Sequence, residues 1–301
     1  MANPRALLKR RKAIQNTRKI TRTMELVSTA RLSRTQGAAI AARPYANKLR
    51  EVIRSLSELS PGLTHPLFET HEPARKAVVL LLTSDRGLCG AFNSNILRHF
   101  RAFHEELRQR GLDIELHVQG RKGLAACKHW GLPVAQSYLN VADKPTYARA
   151  EEIAGRLMER FLRREIDEAH LVYSSFRSMI AQIPRSDRLL PLAGPDLPSG
   201  GAPGGGPSRP ASRAPVGMGF LFHPDPERLL RELLPLVAKV SLYSALLDNC
   251  AGEQAARRVA MKNATDAADK ITKFLTQAYN RARQYKITGE ISEIVSGVEA
   301  L

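Results

Sequence analysis

From Asp225 to Leu301 the chain has no proline after Pro235, and its only glycines are Gly252, Gly289 and Gly297. Ala, Leu, Lys, Arg and Gln dominate the stretch, and these residues lose least on entering a helix. Apolar residues recur at helical spacing through Leu229, Leu233, Val237, Val240, Leu242, Leu246 and Leu247. They recur again in Ile271, Phe274, Leu275 and Ala278, then in Ile287, Ile291, Ile294, Val298 and Leu301. One helix of that span would reach ~110 Å at about 1.5 Å per residue. A globule of this size is not that long, so the pattern predicts a helix that leaves the globule and finds a partner outside it.

The other end of the chain supplies a first partner. Residues 4 to 59 are also helical in pattern, with Ile14, Ile20, Met24, Val27, Ala30, Ala38, Ala41, Tyr45, Leu49, Val52 and Leu56 at three- and four-residue steps. Pro44 is the one breaker, expected to kink or end the helix. Two long terminal helices predict an antiparallel coiled coil made by the two ends of one chain. The alternative is two separate amphipathic helices packed on a common core. The heptads are imperfect, because Arg31 and Arg34 fall where apolar residues belong.

The net charge of +17 is unevenly placed. Residues 1 to 60 hold fourteen Lys/Arg against three Glu, whereas residues 225 to 301 hold eleven Lys/Arg against ten Asp/Glu. A helix this basic repels itself and predicts an acidic counterpart: nucleic acid, an anionic membrane surface or an acidic protein. No run of 18 apolar residues argues for a membrane span. The N-terminus lacks the apolar segment of a secretory signal, and its Arg-rich start leads at once into helix. Cys89, Cys127 and Cys250 are widely spaced, form no metal motif and read as reduced thiols.

Between the terminal helices the period changes. Residues 76 to 83, KAVVLLLT, are a short continuous apolar run and read as a buried parallel strand. The loop Ser84-Asp-Arg-Gly-Leu-Cys-Gly follows, then a helix over 92–110, a strand over 112–118, a helix over 121–130, a strand over 133–137 and a helix over 147–163. Two more strands fit 168–175 and 178–187. Alternating strands and helices predict a central three-layer α/β, Rossmann-like domain with a largely parallel sheet. The domains expected are therefore a coiled-coil helix over 1–60, the α/β domain over 70–190, a disordered Gly/Pro-rich insertion over 191–218, a short returning strand over 219–224, and the second coiled-coil helix over 225–301. Half of the insertion is Gly or Pro, too little apolar content to fold. Asp225-Pro226 offers an N-cap with proline at the first helical position.

Chemistry is sparse. Gly87 and Gly90 follow a strand, yet there is no GxGxxG and no glycine loop ending in Lys-Ser/Thr. A tight turn is the better reading of both glycines, and Asp85 and Arg86 suit a local ion pair or a contact with a neighbouring subunit. The eight histidines are scattered without HExxH or a cluster. No catalytic residue, cofactor or metal is expected, and two rival readings remain: a basic nucleic-acid-binding protein, and a Rossmann-like enzyme with helical extensions.

The runs LLKRRKAIQNTRKITRTMELVSTARL, LLTSDRGLCGAFNSNILR, EQAARRVAMKNATDAADKI and YNRARQYKITGEISEIVSGVEAL, in that order, resemble the gamma subunit of F-type ATP synthases. The resemblance covers the chain except 191–218. It implies a non-catalytic central stalk whose coiled coil turns inside a hexamer of alpha and beta subunits. The α/β domain is then expected on a ring of membrane c subunits, beside an epsilon subunit, at the cytoplasmic face of a bacterial inner membrane. It further implies rotor–stator contacts at Met24, Arg257, Gln284, Thr288 and Glu290, and an apolar bearing tip of Ile291, Ile294, Val295, Val298 and Leu301. The cysteine pair that switches some photosynthetic members is missing, so thiol regulation is not expected.

Overall fold

The computed structural model describes residues 4–59, 65–141, 145–192 and 226–299. The returning strand expected over 219–224, the cap at Asp225, the tip residue Leu301 and nearly all of the 191–218 insertion lie outside them. The insertion's first residues do not stand apart from the fold: Leu192 is buried and its amide donates to the Leu67 carbonyl at 2.8 Å.

The chain forms two compact units, residues 1–29 with 257–301, and residues 30–256. Two helices contribute to both. Helix α1 spans Pro4–Leu59 and α5 spans Pro226–Glu299. Pro44 and Pro235 sit within them, and α1 runs on through Pro44.

The larger unit is built on one sheet. Its strands are β1 (Lys76–Leu82), β2 (Asp113–Gln119), β3 (Val134–Tyr138), β4 (Glu168–Phe176) and β5 (Gln182–Leu190). Helices α2 (Phe92–Gln109), α3 (Arg121–His129) and α4 (Tyr147–Leu162) connect them. The strand order is β3-β2-β1-β4-β5, with β1 to β4 parallel. β5 pairs antiparallel with β4 along its whole length and closes the edge. A hairpin of so few turn residues can only return antiparallel, which accounts for the mixed edge.

β1 alternates its apolar side chains between two cores, as a strand covered on both faces must. Val78, Leu80 and Leu82 face Ile153, Leu157 and Phe161 of α4, together with Leu234, Val237, Leu242 and Leu246 of α5. Ala77, Val79 and Leu81 face Phe92, Ile96 and Phe100 of α2 and Cys127 of α3. A stretch of α5 is apolar enough by length and composition to cross a membrane, a possibility the apolar-run argument had set aside. More than half of that stretch is buried inside the protein, as in a core helix.

Charged pairs brace the sheet. Glu115 on β2 accepts both terminal nitrogens of Arg160 on α4, at 2.7 and 2.8 Å, and bonds His117 at 3.0 Å. Those bonds, led by the one from Arg160, hold the Glu115 carboxyl at about 2. On β4, His170 bonds Glu168 at 2.8 Å and Arg110 donates to it at 2.6 Å, which holds its carboxyl at about 2.

Candidate interaction surface

In the smaller unit α1 and α5 run side by side, and the seam between them is unexpectedly polar. Its buried residues are Thr21, Glu25 and Ser28 on α1 and Met261, Thr265, Ala268 and Leu275 on α5. The Thr21 and Thr265 hydroxyls meet at 2.8 Å. Arg18 bridges to Asp269 at 2.6 Å, Arg22 to Glu25 at 3.0 Å, and the Arg11 guanidinium stands over the Tyr279 ring. Most of the polar groups named have a partner, which lets the seam tolerate them, although the buried Arg11 Nε has none.

The consequence corrects the sequence reading of the coil. Ile20 and Val27 on α1 and Ile271 and Phe274 on α5 were expected in the seam, and all four are exposed, Phe274 to 68%. Leu26, which the periodic reading passed over, joins them. The Thr21–Thr265 and Arg18–Asp269 pairs join the two helices, and these apolar residues face outward. Further along α5, Tyr285, Ile287, Ile291, Ile294, Val295 and Val298 are exposed too. Contiguous apolar surface on this scale marks a face that another molecule covers.

The residues singled out from the family resemblance fall in different settings. Gln284, Thr288 and Glu290 are exposed on α5. There Thr288 donates to the Gln284 carbonyl at 3.0 Å and Glu290 pairs with Lys286 at 3.4 Å. Met24 is half-buried, and Arg257 is only 6% exposed. Among the basic residues of α1, Arg10, Lys12 and Lys19 are exposed, whereas Arg11, Arg18 and Arg22 spend their charge within the chain.

In the α/β unit, the end of the sheet where such folds hold phosphates is occupied by the chain itself. The first three amides of α3 are taken in turn: Arg121 N by Asp85 Oδ1 at 3.2 Å, Lys122 N by the Ser84 carbonyl at 3.1 Å, and Gly123 N by Thr83 Oγ1 at 2.8 Å. Asp85 is therefore a cap for α3. Gly90, at φ 58°, lets the loop turn tightly into α2, the reading its sequence favoured. A cleft of about 460 Å³ lies beside the C-terminal halves of α2 and α3, lined by Phe100, Arg101, His104, Arg108 and Trp130. Cys89, Cys127 and Cys250 are buried and form no disulfide with one another, and burial pushes the Cys127 thiol up to about 11. A thiol held protonated is a poor nucleophile.

Comparison with known proteins gives one consistent result. A family model described as ATP synthase matches residues 3–301. The ATP synthase gamma chain of Leptospira biflexa serovar Patoc is 40% identical over 301 residues, covering 100% of both chains. That of Neisseria gonorrhoeae is 39% identical, also over 100% of both. By structure, a chain of the Euglena gracilis mitochondrial ATP synthase (OSCP, F1 and c-ring) superposes with a TM-score of 0.62 at 19% identity, covering 99% of this chain and 94% of that one. This last likeness speaks for the fold.

Proposed function

The chain belongs to the ATP synthase gamma-chain family, and from that premise we propose that it is the rotor shaft of a bacterial enzyme, turning inside a hexamer of alpha and beta subunits. As a gamma chain it is a non-catalytic subunit of the central stalk in a membrane-associated complex. The observation that carries the shaft reading is the outward apolar surface of the paired helices, from Ile20 to Val27 on α1 and from Ile271 to Val298 on α5. A ring of apolar loops around it would remove that surface from water without strong directional bonds, and a bearing needs both properties.

In this reading Ile291, Ile294, Val295, Val298 and Leu301 form the bearing tip. Gln284, Thr288 and Glu290 are the exposed rotor–stator contacts. Met24 and Arg257 are contacts of a second kind, reached only in part from outside. Arg10, Lys12 and Lys19 face acidic loops of the beta subunits. The α/β unit rests on the c-ring beside epsilon, at the cytoplasmic face of the inner membrane.

Magnitudes decide how such a shaft carries load. An exposed ion pair contributes about 0.2–1 kcal/mol, whereas one charge crossing 100 mV releases about 2.3 kcal/mol. No single surface pair transmits that work. Steric shape spread over many contacts does, with charges refining the fit, and nucleotides bind in the partners. The test is co-purification: a tagged chain should bring down alpha, beta and epsilon subunits in a fixed ratio. Purification with nucleic acid instead, lost as salt rises, would overturn the reading in favour of a basic nucleic-acid binder.

A further inference from the structure

The crevice beyond the carboxyl ends of β1 and β4, where the strand order reverses, is where open α/β sheets take their ligands. In this chain α5 fills it. The β1 ladder along β4 ends at Leu81 opposite Val172. Two residues further on, the Ser174 amide donates to Asn249 Oδ1 of α5 at 3.1 Å. Next to it, Ser175 Oγ donates to Asp248 Oδ2 at 3.4 Å. The helix thus continues the hydrogen bonding of the sheet after β1 has turned away.

One turn along α5, Gly252 makes this approach possible. A Cβ there would stand 3.1 Å from Phe92 Cε2, 3.5 Å from Gln182 Cγ and 3.7 Å from Ser174 Oγ. Ala251 and Ala255 pack beside it with Phe176 and with Leu32 of α1. Asp248 and Asn249 lie four and three residues before Gly252, and so on its side of the helix.

We propose that this seat is the joint that locks the register of α5 to the sheet, so that the α/β unit and the helix turn as one body under load; the proposal rests on the rotor-shaft reading. A slip of one residue would bring Ala251 or Glu253 against the Phe92 ring in place of Gly252. The slip toward Glu253 would also set Cys250 against the Ser174 amide in place of Asn249, and the slip toward Ala251 would set Leu247 against the Ser175 hydroxyl in place of Asp248. Each neighbouring register thus loses a hydrogen bond and crowds the Phe92 ring. Asp248, Asn249 and Gly252 are positioning residues: they touch no substrate and act by holding the shaft.

The experiment uses the assembled complex in membrane vesicles. Ser175→Cys/Asp248→Cys keeps Asn249 and Gly252 and puts two thiols where the native side chains meet across the seat, so that an oxidant can join them. Oxidation should leave ATP hydrolysis and proton pumping as they are in the reduced enzyme, because the two parts already move together. A loss on oxidation, restored by reductant, would mean that the seat opens during turnover and would overturn the proposal. Asn249→Leu removes the acceptor at similar volume. Protons pumped per ATP hydrolysed should fall with the complex intact, and the oxidised cysteine pair in the same chain should restore the ratio. An unchanged ratio in Asn249→Leu also overturns the joint. Should that variant fail to assemble, the oxidised pair alone decides. A failed rotor reading would look different: a pumping enzyme that purifies without this chain.

Discussion

The hydroxyl oxygens of Thr21 and Thr265 lie 2.8 Å apart, buried between two helices whose residues are 244 positions apart in sequence. Each also lies within reach of a carbonyl of its own helix, Thr21 of Arg18 at 3.0 Å and Thr265 of Met261 at 2.9 Å. With two protons for three contacts, one hydroxyl donates across the seam while the other donates to its own helix. Removing one hydroxyl should cost about 0.5–1.5 kcal/mol, the net worth of a typical hydrogen bond. Replacing both with valine keeps the shape and orphans no partner, so Thr21→Val/Thr265→Val should cost less than the two single changes added together. Thermal unfolding of the four variants measures this as a coupling energy. Strict additivity would show that the pair does not interact.

Two glycines offer a matched comparison. Gly120 and Gly111 both adopt positive φ, at 95° and 80°. A Cβ on Gly120 would fall 2.4 Å from the Thr83 carbonyl oxygen, whereas nothing lies within 4 Å of one on Gly111. Gly111→Ala should cost only the backbone term, about 1–2 kcal/mol. Gly120→Ala adds a clash with main chain that cannot swing aside, so its loss should be the larger by well over 1 kcal/mol. Denaturant midpoints report the difference, and equal midpoints would mean that the β1 end yields easily.

Acid should act on the α/β unit through Glu115 and Glu168. Both carboxyls lie at about 2, below the ordinary 4.5. A depressed folded value contributes stability that is complete above the unfolded value. It is then lost as pH falls from 4.5 towards 2. Glu115→Gln should lower stability at pH 7 and flatten the decline between pH 5 and pH 3, with Glu168 maintaining the remaining slope. Unfolding midpoints at those pH values decide it, and a decline as steep in Glu115→Gln as in the parent chain would remove Glu115 from the account.

Ile294 is 66% exposed on α5. Changing it to aspartate should alter the stability of the isolated chain by no more than about 0.5 kcal/mol, as for other surface changes. In the assembled enzyme the same carboxylate would enter the apolar ring proposed as the bearing, where an unpaired charge is costly. Hydrolysis-driven pumping should therefore fall although the subunit itself is unharmed. Undiminished pumping by Ile294→Asp would mean that the end of α5 turns in water.

The regular parts of the fold were legible because their periods are strong. KAVVLLLT became β1 almost residue for residue, and both terminal helices run where their three- and four-residue steps indicated. The inside of the coil was not legible. Assigning apolar residues inward put Ile20, Val27, Ile271 and Phe274 in the seam. The rule fails when polar side chains can pair across two helices and leave the apolar residues outward. The seat of α5 was hidden for another reason. Asn249 and Gly252 look like ordinary helix residues until a free strand amide and the Phe92 ring are placed against them. Arg257 gave no sign of its burial, since it stands beside Arg258 and an arginine on a helix is mostly exposed.

The long sequence separation between Thr21 and Thr265 also imposes an order on biosynthesis. The N-terminal part of α1 is made well before residues 257–299, with which it pairs. At about 5–20 residues per second, the wait is on the order of 10–50 s. Throughout it the face of α1 that carries Thr21, Glu25 and Ser28 has no partner helix, and Ile20, Leu26 and Val27 stand exposed as well. The dense positive charge of the same segment gives the nascent chain a means of staying dispersed over that interval. Basic residues that have no role in pairing the finished helices would then already act before the protein is complete.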